Sequence, residues 1–137
     1  ENQLLKHKFH IIFMDVKKAI VSAIIMYAII FLIASALVFN IQDEAIFGSI
    51  MVVLVIILSY LLSSKYYFRE FNVTNPIKDG LAFGLVVAVI SFIIEIPVMV
   101  YGFAAQQGWG YFANWHIIIG YILMLIIPVI VAYRKKK

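Results

Sequence analysis

Four long apolar runs, separated by short polar segments, constrain the fold of this 137-residue chain more than any other feature. Each run is close to the ~20 residues that a helix needs to cross the hydrocarbon core of a bilayer. None keeps the wide polar stripe of a soluble surface helix. The sequence therefore predicts an all-α protein, a bundle of four transmembrane helices within residues 17–137. The expected spans are about 19–39, 45–62, 80–103 and 115–133.

The charged residues indicate which ends of the spans face the cytoplasm. Only 13% of the residues are charged, and the formal net charge is +4. Basic side chains lie before the first span, between the second and third, and after the fourth, while the other two loops have none. The positive-inside rule then predicts an up-down-up-down bundle with both termini in the cytoplasm. Since the positive charges lie at span ends, we expect the lipid bilayer as partner and no nucleic acid.

Aromatic residues at the span ends support this orientation. The inner set is Tyr66, Tyr67, Phe68 and Tyr133. The outer set is Tyr101, Trp109, Tyr111, Phe112 and Trp115. We expect these rings to anchor the bundle at the headgroups.

Residues 1–16 permit two interpretations. Apolar and basic side chains interleave over this segment, as in a short amphipathic helix on the cytoplasmic membrane surface. Alternatively, translation starts at Met14 and residues 1–13 are not native. A cleaved signal peptide is not expected, because the apolar run that follows is too long.

Small residues line one face of the third run. On a helix this face spans an arc of about 80° and comprises Gly80, Gly84, Ala88, Ser91, Glu95 and Gly102. Small residues four apart let helix backbones approach closely in lipid, where packing drives association. We therefore expect helix packing through Gly80, Gly84, Ala88 and Gly102, together with Gly120 of the fourth run.

Glu95 is the main candidate for a functional group. It lies about 10 Å below the outer end of its helix, and a carboxyl group at that depth is costly unless it is satisfied. One interpretation is a neutral Glu95 that fixes helix register by a hydrogen bond. The other is a proton-coupling or cation-binding group, since burial disfavours the charged form of a carboxyl group. Pro97 would free the Ile93 carbonyl group beside it and create a polar pocket with Ser91.

Possible partners of Glu95 follow from helix depth. Tyr121 lies about 9 Å into the fourth span, and its hydroxyl group is the preferred contact. Ser35 and Ser49 lie within the outer third of their helices and complete the candidate polar site. Lys and Arg are absent at that depth, so no buried ion pair is expected.

Other chemistry is not expected. The chain has no cysteine, which excludes disulfides and thiolate chemistry. His7 and His10 lie on the opposite side of the membrane from His116, so neither a metal site nor haem ligation is expected. Motifs of nucleophilic catalysis or phosphate binding are also absent from the sequence. We therefore expect no cofactor and no enzymatic activity.

The second half of the chain resembles a group of small four-helix prokaryotic membrane proteins of unassigned activity. The resemblance lies in KDGLAFGLVVAVISFIIEIPVMVYG, a following YF, and YILMLIIP. The matching positions are Gly80, Gly84, Glu95, Tyr111, Phe112 and Pro128. It implies the four-helix fold and a prokaryotic cytoplasmic membrane, and it implies no activity.

The sequence thus favours a small polytopic membrane protein that acts as an accessory subunit or associates with itself through the small-residue face. The alternative is a proton-coupled transporter or channel for a small solute or ion, with Glu95 as the protonatable group. The partners in the first case would be copies of itself or other membrane subunits.

Overall fold

The computed structural model describes residues 2–69, 73 and 75–136, and for residues 2–15 and 136 the backbone alone. All regular structure in this part of the chain is helical. The α-helices are α1 (Asn2–Leu37), α2 (Glu44–Leu62), α3 (Pro76–Glu95) and α4 (Trp115–Lys136). Two π-helices, Ser63–Tyr67 and Ile96–Phe103, extend α2 and α3, and a 3₁₀-helix covers Gly108–Ala113.

Four helical segments are long and apolar enough to cross a membrane, and this confirms the predicted all-α class with four apolar spans. Their bounds are Val16–Leu37, Glu44–Tyr67, Pro76–Phe103 and Trp115–Lys135. Large apolar side chains cover the outside of all four, as expected of surfaces that face lipid rather than water. The fold is therefore compatible with a small integral membrane protein.

Two side-chain caps set where the second and third helices begin. Asp43 accepts hydrogen bonds from the backbone of Ala45 at 2.9 Å and of Ile46 at 3.3 Å. Asn75 accepts one from the backbone of Lys78 at 3.3 Å. Pro76 follows as the first helical residue, where its missing N–H would be unpaired in any case. α3 therefore starts four residues before the predicted span at Gly80.

The N-terminal segment continues directly into the first span. The backbone is one α-helix from Asn2 to Leu37, so residues 2–15 extend the helix that carries the span from Val16. Residue 1 lies outside the described residues. The span ends at Leu37, two residues before the predicted end at Phe39.

The small-residue face of α3 packs on α4 of the same chain. A Cβ atom at Gly80 would collide with the backbone of Val129 and Pro128, and one at Gly84 with the carbonyl oxygen of Met124. The two helix backbones are thus as close as glycine permits. Ala88, one turn further along, is half-buried and packs against the core. The surface expected to receive a second subunit is therefore covered by α4.

Tyr67 and Phe68 belong to the core rather than to an interfacial belt. Their exposed fractions are 6% and 0%, and both rings pack against Phe83 of α3, with a Tyr67–Phe83 centroid distance of 4.3 Å. The π-helix after α2 turns both rings inward. This corrects the predicted headgroup position, which took the polar segment Ser63–Lys65 as the start of a loop.

Candidate ligand site around Glu95

The helix changes register directly after Glu95. α3 ends there, and the chain continues as the π-helix Ile96–Phe103 with Pro97 at its start. Proline has no N–H group, so a regular α-helix would leave a carbonyl group one turn earlier without its donor. The wider turn is one way in which such groups are re-paired, and π-turns recur at functional sites. The ring of Pro97 is itself exposed, so its effect is on the backbone.

The carboxyl group of Glu95 is buried and only partly hydrogen-bonded. The side chain is 6% exposed, and the Tyr121 hydroxyl donates to its Oε1 at 3.1 Å, the contact predicted from helix depth. Among the described residues, Oε2 has no hydrogen-bond partner. Ser91, one turn earlier on α3, is 1% exposed, and its Oγ also lacks a partner there. Two buried polar atoms are thus left with unused hydrogen-bonding capacity.

Both unpaired atoms belong to residues that line a cavity of about 140 Å³ inside the bundle, which we call the Glu95 cavity. All four α-helices, the second π-helix and the 3₁₀-helix contribute to its wall. Its polar residues are Tyr27, Ser91, Glu95, Tyr111, His116 and Tyr121. The cavity is therefore an apolar chamber with one carboxyl group and several hydroxyl groups.

Tyr111 reaches the cavity because the segment after the second π-helix folds back over the bundle. The chain turns at Gly108, whose φ of 56° is in the left-handed region that favours glycine. The Asn114 amide then bonds the Gln107 side chain at 2.8 Å and the Tyr111 carbonyl oxygen at 2.9 Å. Burial, and secondly the Glu95 carboxyl group, raise the pKa of Tyr111. The Tyr111 hydroxyl group therefore keeps its proton beside the Glu95 carboxyl group.

His116 also lines the cavity, at the start of α4. Its ring lies edge-on to Phe47 of α2, with a centroid distance of 6.1 Å, and 5.8 Å from the ring of Trp115. The sequence places His116 in a polar outer rim. In the structure it is half-buried and contributes a second titratable group to the cavity wall.

Methionine side chains form much of the apolar wall. Four of the five methionines of the chain line the cavity: Met26, Met51, Met99 and Met124. Methionine is flexible and polarisable, so it adapts to differently shaped groups at low cost. The wall can therefore rearrange around an apolar ligand.

Two predicted members of the polar site lie elsewhere. Ser35 and Ser49 are exposed, and neither lines the cavity. The Ser49 hydroxyl instead donates to the carbonyl oxygen of Ala45 at 2.7 Å. α1 and α2 thus turn both serines to the outside of the bundle, and the structure does not bring them together with Glu95 as predicted.

The remaining predicted packing residues take different positions. Gly120 is buried beside Tyr121 and faces Val55 of α2, whose Cγ2 lies 3.7 Å from a Cβ built at this glycine. Gly102 is exposed, and its φ of −115° and ψ of −107° interrupt the helical backbone near the end of the π-helix. Gly102 therefore ends a helical segment instead of packing against another helix.

Sequence reasoning did not select Tyr27, Tyr111 or His116 for this site. A signal for Tyr27 was present, since the hydroxyl group of a tyrosine inside an aliphatic span needs a hydrogen-bond partner. Tyr111 and His116 offered no such signal, because their roles depend on how the loop folds back. Asn114 bonds Gln107, seven positions earlier, and Tyr111, three positions earlier, and no helical or strand periodicity predicts these contacts.

A second cavity, of about 620 Å³, lies at the ends of α2 and α4 and is called the basic cleft here. Its lining residues are Tyr60, Ser64, Lys65, Arg69, Val131, Arg134 and Lys135. The four basic side chains come from two separate parts of the chain and meet at one end of the bundle. The positive charge predicted for one membrane face is thus concentrated in space.

Comparisons of the chain with protein-family models, with curated proteins and with solved structures found no match.

Proposed function

We propose that the protein is a small proton-coupled membrane transporter or channel in which Glu95 exchanges a proton for a solute. The observation that carries this proposal is a buried carboxyl group with one hydrogen-bonded and one unpaired oxygen, set in a cavity. A carboxyl group that only fixed helix register would be expected to have both oxygens satisfied. The unpaired oxygen favours a group that accepts a ligand.

The proposed topology is up-down-up-down with both termini in the cytoplasm. It is supported by contacts between helix ends, since Gly80 near the start of α3 meets Val129 near the end of α4. Gly48 and Trp115, near the starts of α2 and α4, meet at the opposite end. The basic cleft then lies on the cytoplasmic side by the positive-inside rule, and the Glu95 cavity lies nearer the outer side.

The accessory-subunit interpretation stays a prediction. Its main support was the small-residue face of α3, and Gly80 and Gly84 on this face contact α4 of the same chain. A separate partner would have to use another surface. We also propose a non-enzymatic role, since the proposed proton exchange at Glu95 leaves the covalent bonds of the solute unchanged.

Infrared difference spectroscopy tests the proton-binding step directly. Besides the bands of exposed carboxyl groups, we expect the purified protein in lipid nanodiscs to show the carbonyl band of a protonated carboxyl group in apolar surroundings, which appears and disappears with pH. Glu95→Gln should remove this band, whereas the control Glu44→Gln, at the exposed start of α2, should retain it. The variant His116→Gln removes the titration of the imidazole group in the cavity wall, so that a remaining pH-dependent change there can be assigned to Glu95. An unchanged pH-dependent band in Glu95→Gln would contradict the proposal.

A further inference from the structure

We propose that the solute bound in the Glu95 cavity is a protonated primary or secondary amine that carries a small apolar group. This inference rests on the proposed proton exchange at Glu95 and names the chemical class that it admits. Three properties of the cavity lead to it: the unpaired polar atoms, the charge of the site, and the size and lining of the chamber.

The unpaired polar atoms call for a ligand with directional N–H donors. Glu95 Oε2 and Ser91 Oγ lie one helical turn apart on α3, and both are more than nine-tenths buried. An ammonium group with two or three N–H bonds can donate to both oxygens at once. A quaternary ammonium ion has no N–H bond and would leave both unsatisfied. The arrangement therefore selects amines over quaternary cations.

The charge of the site is balanced in both states of the exchange. Without the amine, Glu95 carries its proton and is neutral. When the ammonium ion binds, the O–H bond of Glu95 breaks, the proton leaves to the aqueous phase, and the carboxylate pairs with the ammonium group. No bare charge is buried at either stage, which avoids the large desolvation penalty of an isolated ion. A neutral solute would not displace the proton.

The chamber matches a small apolar substituent. Its volume of about 140 Å³ is close to the roughly 150 Å³ of an apolar cavity known to hold benzene. Met26, Met51 and Met124 supply flexible apolar contacts. The rings of Tyr27 and Phe31 offer aromatic surface, which attracts cations. Benzylamine, with one ring and one ammonium group, is therefore a suitable probe.

Several other titratable groups face Glu95 and bear on the pH dependence. They are Tyr27 from α1, Tyr111 from the 3₁₀-helix, and His116 and Tyr121 from α4, with Glu44 of α2 near His116. A protonated His116 would repel an ammonium ion. Amine binding should therefore weaken at acid pH through both Glu95 and His116, and His116→Gln isolates the part that is due to Glu95.

The test uses the full chain in nanodiscs and isothermal titration calorimetry with three probes: benzylamine, benzyl alcohol and benzyltrimethylammonium. We expect benzylamine to bind at least about tenfold more tightly than the other two, because its hydrogen bonds involve charged groups. Glu95→Gln should remove this preference, whereas Asp43→Asn, at an exposed position outside the cavity, should keep it. Ser91→Ala should weaken benzylamine about threefold to tenfold, whereas Ser49→Ala, with an exposed hydroxyl group, should not.

Proton release separates this inference from the proposed function. Titrations in buffers of different ionisation enthalpy should show about one proton released per amine below the pH of the infrared step at Glu95, and none above it. Equal binding of benzylamine and benzyl alcohol, with the infrared step intact, would overturn the amine class and leave proton binding standing. Benzylamine binding without proton release at any pH would overturn the exchange itself.

Discussion

The Tyr121 hydroxyl donates to Glu95 Oε1 at 3.1 Å across the contact between α4 and α3, and Glu95 Oε2 is left unpaired beside the cavity. Tyr121 therefore holds the carboxyl group without closing the site. Gly80 and Gly84 bring the two helix backbones together on the same side of the bundle. The small-residue face of α3 thus positions Glu95 and Tyr121 relative to each other.

Replacing Tyr121 by Phe should separate positioning from packing. The ring remains, but the hydrogen bond to Glu95 is lost, which should lower stability by about 1 kcal/mol. The carboxyl group would be less well oriented, so benzylamine should bind several-fold more weakly. Thermal unfolding and calorimetry in nanodiscs measure the two effects. Tyr133→Phe, whose ring is exposed, is the control, and equal losses in both variants would contradict the positioning role.

The sequence was sufficient for the spans and for this one contact, because both depend on distance along a helix. Apolar length predicts four spans, and a rise of 1.5 Å per residue places Glu95 and Tyr121 at the same depth. The same reasoning failed for Ser35 and Ser49, since depth does not determine which side of a helix faces inward. In aliphatic spans the weak amphipathic pattern gives little information on rotation.

The positions of Tyr111 and Tyr67 could not be predicted from the sequence. They depend on hydrogen bonds within a folded loop and on a helix that continues in π register. Tyr111 enters the cavity through the turn at Gly108 and the bonds of Asn114, which only the folded loop shows. Tyr67 reaches the core because the helix continues in π register past Leu62. Serine and lysine at that point suggested a loop, and tertiary packing of the aromatic rings overrode this local preference.

Substitution of Gly84 by Ala should destabilise the bundle itself. The new methyl group would collide with the Met124 carbonyl oxygen and lie near Leu125 Cα, and backbone atoms cannot move aside as a flexible side chain can. Overpacking of this kind costs about 1 to 3 kcal/mol. Gly120→Ala is the matched control, because its Cβ would meet only the Val55 side chain at 3.7 Å. Thermal unfolding should show that Gly84→Ala is less stable than Gly120→Ala. Equal stability of the two variants would argue against the close α3–α4 contact.

Alkaline pH should destabilise the protein partly through Tyr111. Burial, and secondly the Glu95 carboxyl group, raise its pKa above the ordinary value of 10. The neutral form is therefore favoured in the fold, and its contribution to stability is complete below about pH 10 and is lost as the pH rises above this value. Tyr111→Phe should lose less stability than the wild type between about pH 10 and 12. Tyr101→Phe, with an exposed ring, should follow the wild type in thermal unfolding. Parallel pH profiles for wild type and Tyr111→Phe would count against a raised pKa of Tyr111.

Cysteine labelling tests the proposed orientation, and the chain is suited to it because it contains no native cysteine. Gln42→Cys and Gln106→Cys lie at exposed positions in the two loops without basic residues. Lys135→Cys is exposed at the end of α4, beside the basic cleft. A membrane-impermeant maleimide added to intact cells should label the first two, and Lys135→Cys only after the membrane is permeabilised. The reverse pattern would place the basic cleft outside and invert the topology. Labelling of all three positions in intact cells would mean that the bilayer does not separate them. The chain would then not span the membrane as proposed, and transport through the Glu95 cavity would be excluded.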